Sequence, residues 1–377
     1  MRQMLTRSVV TMGAVVALSA LALGTGPAGA SAVHRTLAGS PPGVSHAGLD
    51  AVTGVPHSSD VWAIGYSGEG TDNDTYFVLR RHDGKWKRLA APKLNGRYGV
   101  LGAADAASPS VVWLGGSRQV AGGISELPTV WSLSGSKWVV AKWPALEVGL
   151  AAVSQIASSS PTNAWAVGGL WLKNATSTQV AMHWDGKKWT AVPYPVSDNS
   201  TLLSVSTSAP NNAWAVLSDG TLIQWNGKAW ISKGTAPAGV QLTAVTTSSP
   251  TNAYAVGYNP TTVRPVVLHY NGHTWSAAKL VKAPLEKLFY AGQAGNSVWA
   301  MGQILNSGST VMLHSTGGAF TTQKVVGGPN YRMSSLSVES PSVAYAGGDY
   351  IDLTNDISYT YLDAYNGHSW RGISSDP

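Results

Sequence analysis

Two aromatic motifs alternate seven times along this chain, and that alternation restricts the fold more than any other feature. The first is an aromatic residue inside a short apolar run, clearest in Trp165-Ala166-Val167-Gly168. Its copies place Trp62, Trp113, Trp165, Trp214, Tyr254, Trp299 and Tyr345 at intervals of 51, 52, 49, 40, 45 and 46 residues. The second is a glycine followed three residues later by an aromatic, as in Gly186 and Trp189. It supplies Trp86, Trp138, Trp189, Trp230, Trp275, Phe320 and Trp370, one after each copy of the first, with the earliest copy one residue shorter. A period of this size, repeated seven times, signals a repeat architecture.

Each unit reads as four strands, A to D. Strand A is a run of small and aliphatic residues such as Leu242-Thr243-Ala244-Val245. A turn carrying Pro at its second position follows (Ser108-Pro109, Ser160-Pro161, Ala209-Pro210, Ser249-Pro250, Ser340-Pro341), where the ring presets φ. Strand B carries the Trp-Ala-Val-Gly motif, and a loop of variable length leads to strand C. An Asp-Gly or Asn-Gly pair then opens a tight hairpin into strand D (Asp83-Gly84, Asp185-Gly186, Asn226-Gly227, Asn271-Gly272, Asn366-Gly367). Both residues of such a pair tolerate positive φ. A single four-stranded sheet cannot bury both faces, but seven stacked around an axis bury each blade's aromatics against the next. The expected fold is therefore an all-β, seven-bladed β-propeller over residues 48–377, with the fourteen repeat aromatics in its core.

The Trp-Ala-Val-Gly run followed by His183-Trp184-Asp185-Gly186-Lys187-Lys188-Trp189 resembles the tandem repeats of secreted bacterial β-propeller proteins. The hairpin also resembles, more distantly, the Asp-box of sialidase-like propellers, although here the acid stands directly before the glycine. The resemblance covers nearly the whole chain after residue 47. It implies the fold and a structural role for the hairpin, and it implies no activity.

Residues 1–30 read as a signal peptide. Arg2 and Arg7 precede an uncharged apolar run from Val9 to Leu23, and Ala28-Gly29-Ala30 and Ala30-Ser31-Ala32 are both small-x-small cleavage sites. The run is short for a membrane span, and no cysteine follows it to carry a lipid. Residues 31–47 form an N-terminal extension, which could add a strand to the last blade. The mature chain is expected to be exported, monomeric and held together by packing alone, since it has no cysteine. Its net charge of +6 falls when Arg2 and Arg7 are removed, and the remaining basic residues are scattered. Without a basic stripe, nucleic acid is not an expected partner.

With strand direction alternating, the Pro turns and Gly hairpins share one face of the propeller. The B–C loops and the D-to-A connections share the other. The second face varies in length and residue type, and binding residues are expected there or in the central channel. Three aromatics outside the repeat fall on it: Trp143, Trp171 and Tyr194, whose flat rings suit sugar rings. Acids gather in the B–C loops of blades 1 and 7, as Glu69, Asp72, Asp74, Asp349, Asp352 and Asp356. They suggest an optional Ca²⁺ site across the seam between those blades, because Ca²⁺ takes several oxygen ligands from flexible loops.

Catalytic equipment is sparse. Asp50, Asp105 and Glu339 lie on inner strands but at different positions, so no carboxylate pair of the kind that cleaves glycosides is implied. Arg80, Arg118, Arg264 and Arg332 form no cluster, and a cysteine-linked tyrosine cannot form. His183, His269 and His314 occupy the same position of three repeats, as inheritance would place them. The reading that follows is a secreted, non-enzymatic binding module for carbohydrate or cell-envelope polymer. An extracellular glycosidase or polysaccharide lyase, and a protein-interaction scaffold, are the alternatives.

Overall fold

The computed structural model describes residues 46–373 except 69–74, 97–98, 121–125, 145–151, 171–179, 196–199, 283–285, 306, 308, 325–329 and 356. The expected signal peptide and the extension up to residue 45 lie outside the described residues. Seven antiparallel sheets stand around a central channel, each made of consecutive strands in the order A-B-C-D. The inner A strands are His46–Gly54, Val100–Ser108, Val153–Ser160, Leu202–Ala209, Gln241–Ser249, Glu286–Ala294 and Tyr331–Ser340. Blade 6 gains a fifth strand, Leu280–Val281, which runs parallel to Phe320–Gln323 at its outer edge.

Seven apolar clusters fill the seven joints between neighbouring blades. The joint between blades 3 and 4 shows the pattern. Trp165 is fully buried and meets Trp225 and Trp230 of the next blade at ring-centroid distances of 5.1 and 4.8 Å. The strand B aromatic of one blade thus packs against the hairpin aromatic of the following one. Across all blades the strand B aromatics are no more than 7% exposed. Trp86, Trp138 and Trp275 of the hairpin set are partly exposed, and the other four are buried.

The glycine of the repeat has a steric cause. Every inner strand carries a β-bulge at the same level, where Asp50, Gly102, Ser154, Leu203, Thr243, Phe289 and Ser334 lack a partner across the ladder. The bulge pushes an inner-strand carbonyl towards strand B. A Cβ on Gly257 would lie 1.9 Å from the Gln241 oxygen, and one on Gly302 would lie 1.9 Å from the Lys287 oxygen. Backbone stands in the way, so neither can yield cheaply. Blade 4 carries Leu217 at this position, which nothing in the structure explains. Gly302→Ala is expected to cost about 3 kcal/mol, the upper range for overpacking a core. Urea denaturation would show it, and an unchanged midpoint would refute the steric account.

The hairpins differ from the expected form. In blades 3, 4, 5 and 7 only the glycine takes positive φ, for example 91° at Gly227. The preceding residue keeps a negative φ and caps the turn with its side chain instead. Asn226 Oδ1 accepts hydrogen bonds from the amides of Lys228 and Ala229, both at 2.9 Å. The extra residue makes that capping turn possible. In blade 1, one residue shorter, Asp83 and Gly84 both take positive φ, at 48° and 78°.

No strand is exchanged across the blade 7–1 seam among the described residues. The amides of Val52, Gly54 and Ala47 donate to the hydroxyls of Ser335, Ser337 and Ser358 at 2.8, 3.2 and 3.0 Å. Two of these bonds repeat a device found elsewhere in the ring. The Val205 amide donates to Gln155 Oε1, and those of Val245 and Thr247 donate to Ser204 and Ser206. An inner strand is an edge strand whose amides facing the channel need acceptors, and the preceding blade supplies them.

Candidate functional site

The channel encloses about 360 Å³, and the described residues lining it include Asp50, Asp105 and Glu339 but no Lys, Arg or His. The three acids stand on adjacent blades, 1, 2 and 7, at three heights. Asp50 occupies the bulge, Asp105 lies opposite Trp113, and Glu339 lies near the strand end. Together they make one side of the channel acidic. Asp105 sits where serine caps the next blade elsewhere, and it accepts a hydrogen bond from Ser158 of blade 3. Burial, with a contribution from the Glu339 charge, pushes its carboxyl up to about 7 against the pull of Ser158. Burial also raises Glu339, offset by hydrogen bonds from Ser337 and the Gly54 amide. Both acids are thereby joined to the scaffold of the ring.

The three repeat histidines belong to that scaffold too. His183, His269 and His314 stack on Trp165, Tyr254 and Trp299 at 4.3, 4.4 and 4.0 Å. Their Nε2 atoms bond Asn163, Asn252 and Ser297 at 2.9, 3.0 and 2.9 Å. Gln224 bonds Asn212 in the same way in blade 4, and Arg80 bonds Asp60 in blade 1. Burial lowers the pKa of all three rings, as expected for neutral imidazoles in a core. No group of three metal-ligating side chains occurs among the described residues.

Two of the proposed sugar-stacking aromatics pack into different joints of the ring. Tyr194 is only 5% exposed and donates its hydroxyl to the Ser200 carbonyl, so its ring belongs to the core between blades 3 and 4. Trp143 is partly exposed but lies edge-on to Trp189 at 6.4 Å, covering the joint between blades 2 and 3. Trp171 lies outside the described residues. Of the acids proposed for Ca²⁺, Glu69, Asp72, Asp74 and Asp356 also lie outside them. Asp349 pairs with Arg332 at 2.9 Å. Asp352 caps its own turn through the Thr354 and Asn355 amides.

A different aromatic group occupies the variable-loop end of blade 7. Tyr331 on strand A, Tyr350 on strand B (Val343–Asp352), and Tyr359 and Tyr361 on strand C (Ile357–Tyr365) are all partly exposed. Tyr331 pairs with Tyr350, and Tyr350 with Tyr359, directly across the ladder. All four rings therefore rise from one face of the sheet. It is the face towards blade 6, where Met333 and Tyr361 pack with Trp299 and Met301. Ring centroids lie 4.7 Å apart for Tyr331 and Tyr350, 4.5 Å for Tyr331 and Tyr361, and 6.3 Å for Tyr350 and Tyr359. The Tyr361 hydroxyl donates to buried Asp363 at 2.9 Å. Two leucines extend the patch at the same end: Leu353 of the blade 7 loop and Leu305 at the end of strand B of blade 6, 71% and 38% exposed. The sequence does contain a signal for this group, since five of the fourteen tyrosines fall between residues 331 and 361.

Solved structures with this fold are numerous and distant in sequence. YCF48 from Cyanidioschyzon merolae is 13% identical over 85% of this chain and 96% of its own, with a TM-score of 0.56. A YCF48 bound to D1 peptide is 13% identical over 88% and 95%, with a TM-score of 0.55. The GH74 xyloglucanase from Xanthomonas campestris is 11% identical over 90% of this chain but 55% of its own, with a TM-score of 0.61. These likenesses establish the propeller. No family model matches the sequence, and no curated protein is significantly similar to it. No helix among the described residues is long and apolar enough to cross a membrane.

Proposed function

We propose that this chain is an exported, non-enzymatic binding module that holds a carbohydrate or cell-envelope polymer on the variable-loop end of its propeller. The tyrosine group of blade 7 carries this reading. Partly exposed aromatic rings, fixed by one another on a rigid sheet, form a surface on which sugar rings stack by their C–H faces. The polar groups of the channel support the reading from the other side. Asp105, Glu339 and the inner-strand serines cap neighbouring blades, so the inner wall is engaged in holding the ring together.

Residues 31–377, the chain expected after export, should bind purified cell-wall polysaccharide in a sedimentation assay. The same mixtures should release no reducing sugar over a day. Measurable release would replace this reading with a glycosidase. A protein partner is the second reading, favoured by exposed Leu353 and by the similarly folded YCF48 that binds a peptide. Failure to sediment with any polysaccharide would transfer support to it.

A further inference from the structure

We infer that the polymer held on blade 7 is an uncharged polysaccharide; the inference rests on the binding-module reading and names its ligand. The strand alternation that gathers the tyrosines also sorts the charges. Arg332 and Asp349, one residue away from Tyr331 and Tyr350, point to the opposite face of the sheet and pair there at 2.9 Å. Among the described residues of blade 7, the tyrosine face carries no Lys or Arg. Its ionisable acids are Asp352, held in its own turn, and Asp363, buried beneath Tyr361. A uronate or phosphate polymer would find no cation to pair with among the described residues of this face of blade 7.

A neutral sugar chain fits what remains. Tyr350 and Tyr359 lie parallel to within 17°, and Tyr331 packs against both Tyr350 and Tyr361, so the rings restrict one another before any ligand arrives. Their hydroxyls are donors and acceptors suited to sugar hydroxyls. Burial and the nearby Asp363 charge raise the pKa of Tyr361, and burial raises that of Tyr331, so these phenols stay neutral. Strands B and C are paired on both sides, so the face offers side chains and no free backbone edge on which a peptide could add a strand.

Affinity electrophoresis of residues 31–377 tests this, in gels containing neutral glucan, xylan or mannan and in gels containing polygalacturonate or polyglycerol phosphate. Retention by a neutral polymer is expected, and it should persist in about 0.5 M NaCl, where charge attraction is largely screened. Tyr350→Ala and Tyr359→Ala should each weaken it about tenfold, Tyr350→Phe about twofold or less, and Trp143→Ala not at all. Melting curves of the same variants identify any that fail to fold, and Tyr350→Phe keeps the test valid if the alanine variants do. Retention by the anionic polymers alone, abolished by salt, would overturn the uncharged ligand and leave the binding module standing. Retention by none of the polymers would overturn both.

Discussion

Replacing Glu286 by methionine is expected to stabilise the protein at pH 9 by about 4 kcal/mol more than at pH 5. Glu286 opens the inner strand of blade 6 and has no exposed surface. Neither carboxyl oxygen has a hydrogen-bond partner. Burial alone pushes its pKa up to about 8, from a value of 4.5 in the open chain. Below pH 4.5 the carboxyl is protonated in both states, and its effect on stability does not change with pH. Between 4.5 and about 8 the unfolded chain ionises while the folded one holds its proton, so stability falls as pH rises. Above 8 the loss is complete. At about 1.4 kcal/mol per pH unit, that interval sets a ceiling of about 5 kcal/mol. Methionine has a similar volume and nothing to ionise. Asp105 and Glu339 are raised as well and give the wild type a slope of the same sign. The difference between variant and wild type isolates Glu286. Urea denaturation at pH 5, 7 and 9 measures it, and parallel pH profiles for the two proteins would refute the argument.

The fold was legible because its determinants are local and repeated. Trp165, Trp189 and the Asp185-Gly186 hairpin recur with the same spacing in blade after blade, and each copy is weak evidence that the others reinforce. The steric role of the strand B glycines was not legible, because the carbonyl that excludes a side chain belongs to a bulge more than a dozen residues earlier. The site was less legible for a related reason. Trp143 and Tyr194 stood outside the repeat, which suggested exposure, yet loop aromatics also cover the ends of joints, as Trp143 does over Trp189. Tyr350, Tyr359 and Tyr361 sit inside strands. Only the pairing of Tyr331 with Tyr350 and of Tyr350 with Tyr359 brings them to one face, and ladder register follows from the whole blade. The Asp349 carboxylate was visible, but its partner Arg332 came into view only when strands A and B were paired.

Phe77→Ala is expected to cost about 4 kcal/mol and to loosen blades 1 and 7 in preference to the rest of the ring. Phe77 is 1% exposed and packs with Leu49, Val52 and Leu79 of blade 1 against Tyr345 and Leu362 of blade 7. Truncating a buried aromatic to alanine costs about 3–5 kcal/mol wherever the cavity cannot collapse. At six joints the chain itself continues from one blade to the next. At the seventh, blade 7 meets blade 1 without a described strand crossing between them, so packing and a few serine hydroxyls carry the closure. In a ring of repeats that touch only their neighbours, weakening that joint leaves two free ends, whereas weakening another leaves its two blades still tethered. Trp165→Ala in the joint between blades 3 and 4 removes at least as much buried surface and serves as the comparison. Native-state hydrogen exchange should show the amides of Val61–Gly68 and Ile357–Tyr365 losing protection in Phe77→Ala while those of Asn212–Leu217 keep theirs. Trp165→Ala should instead reduce protection over the whole ring together. Uniform loss in both variants would mean that the seam is as firmly closed as the other six joints.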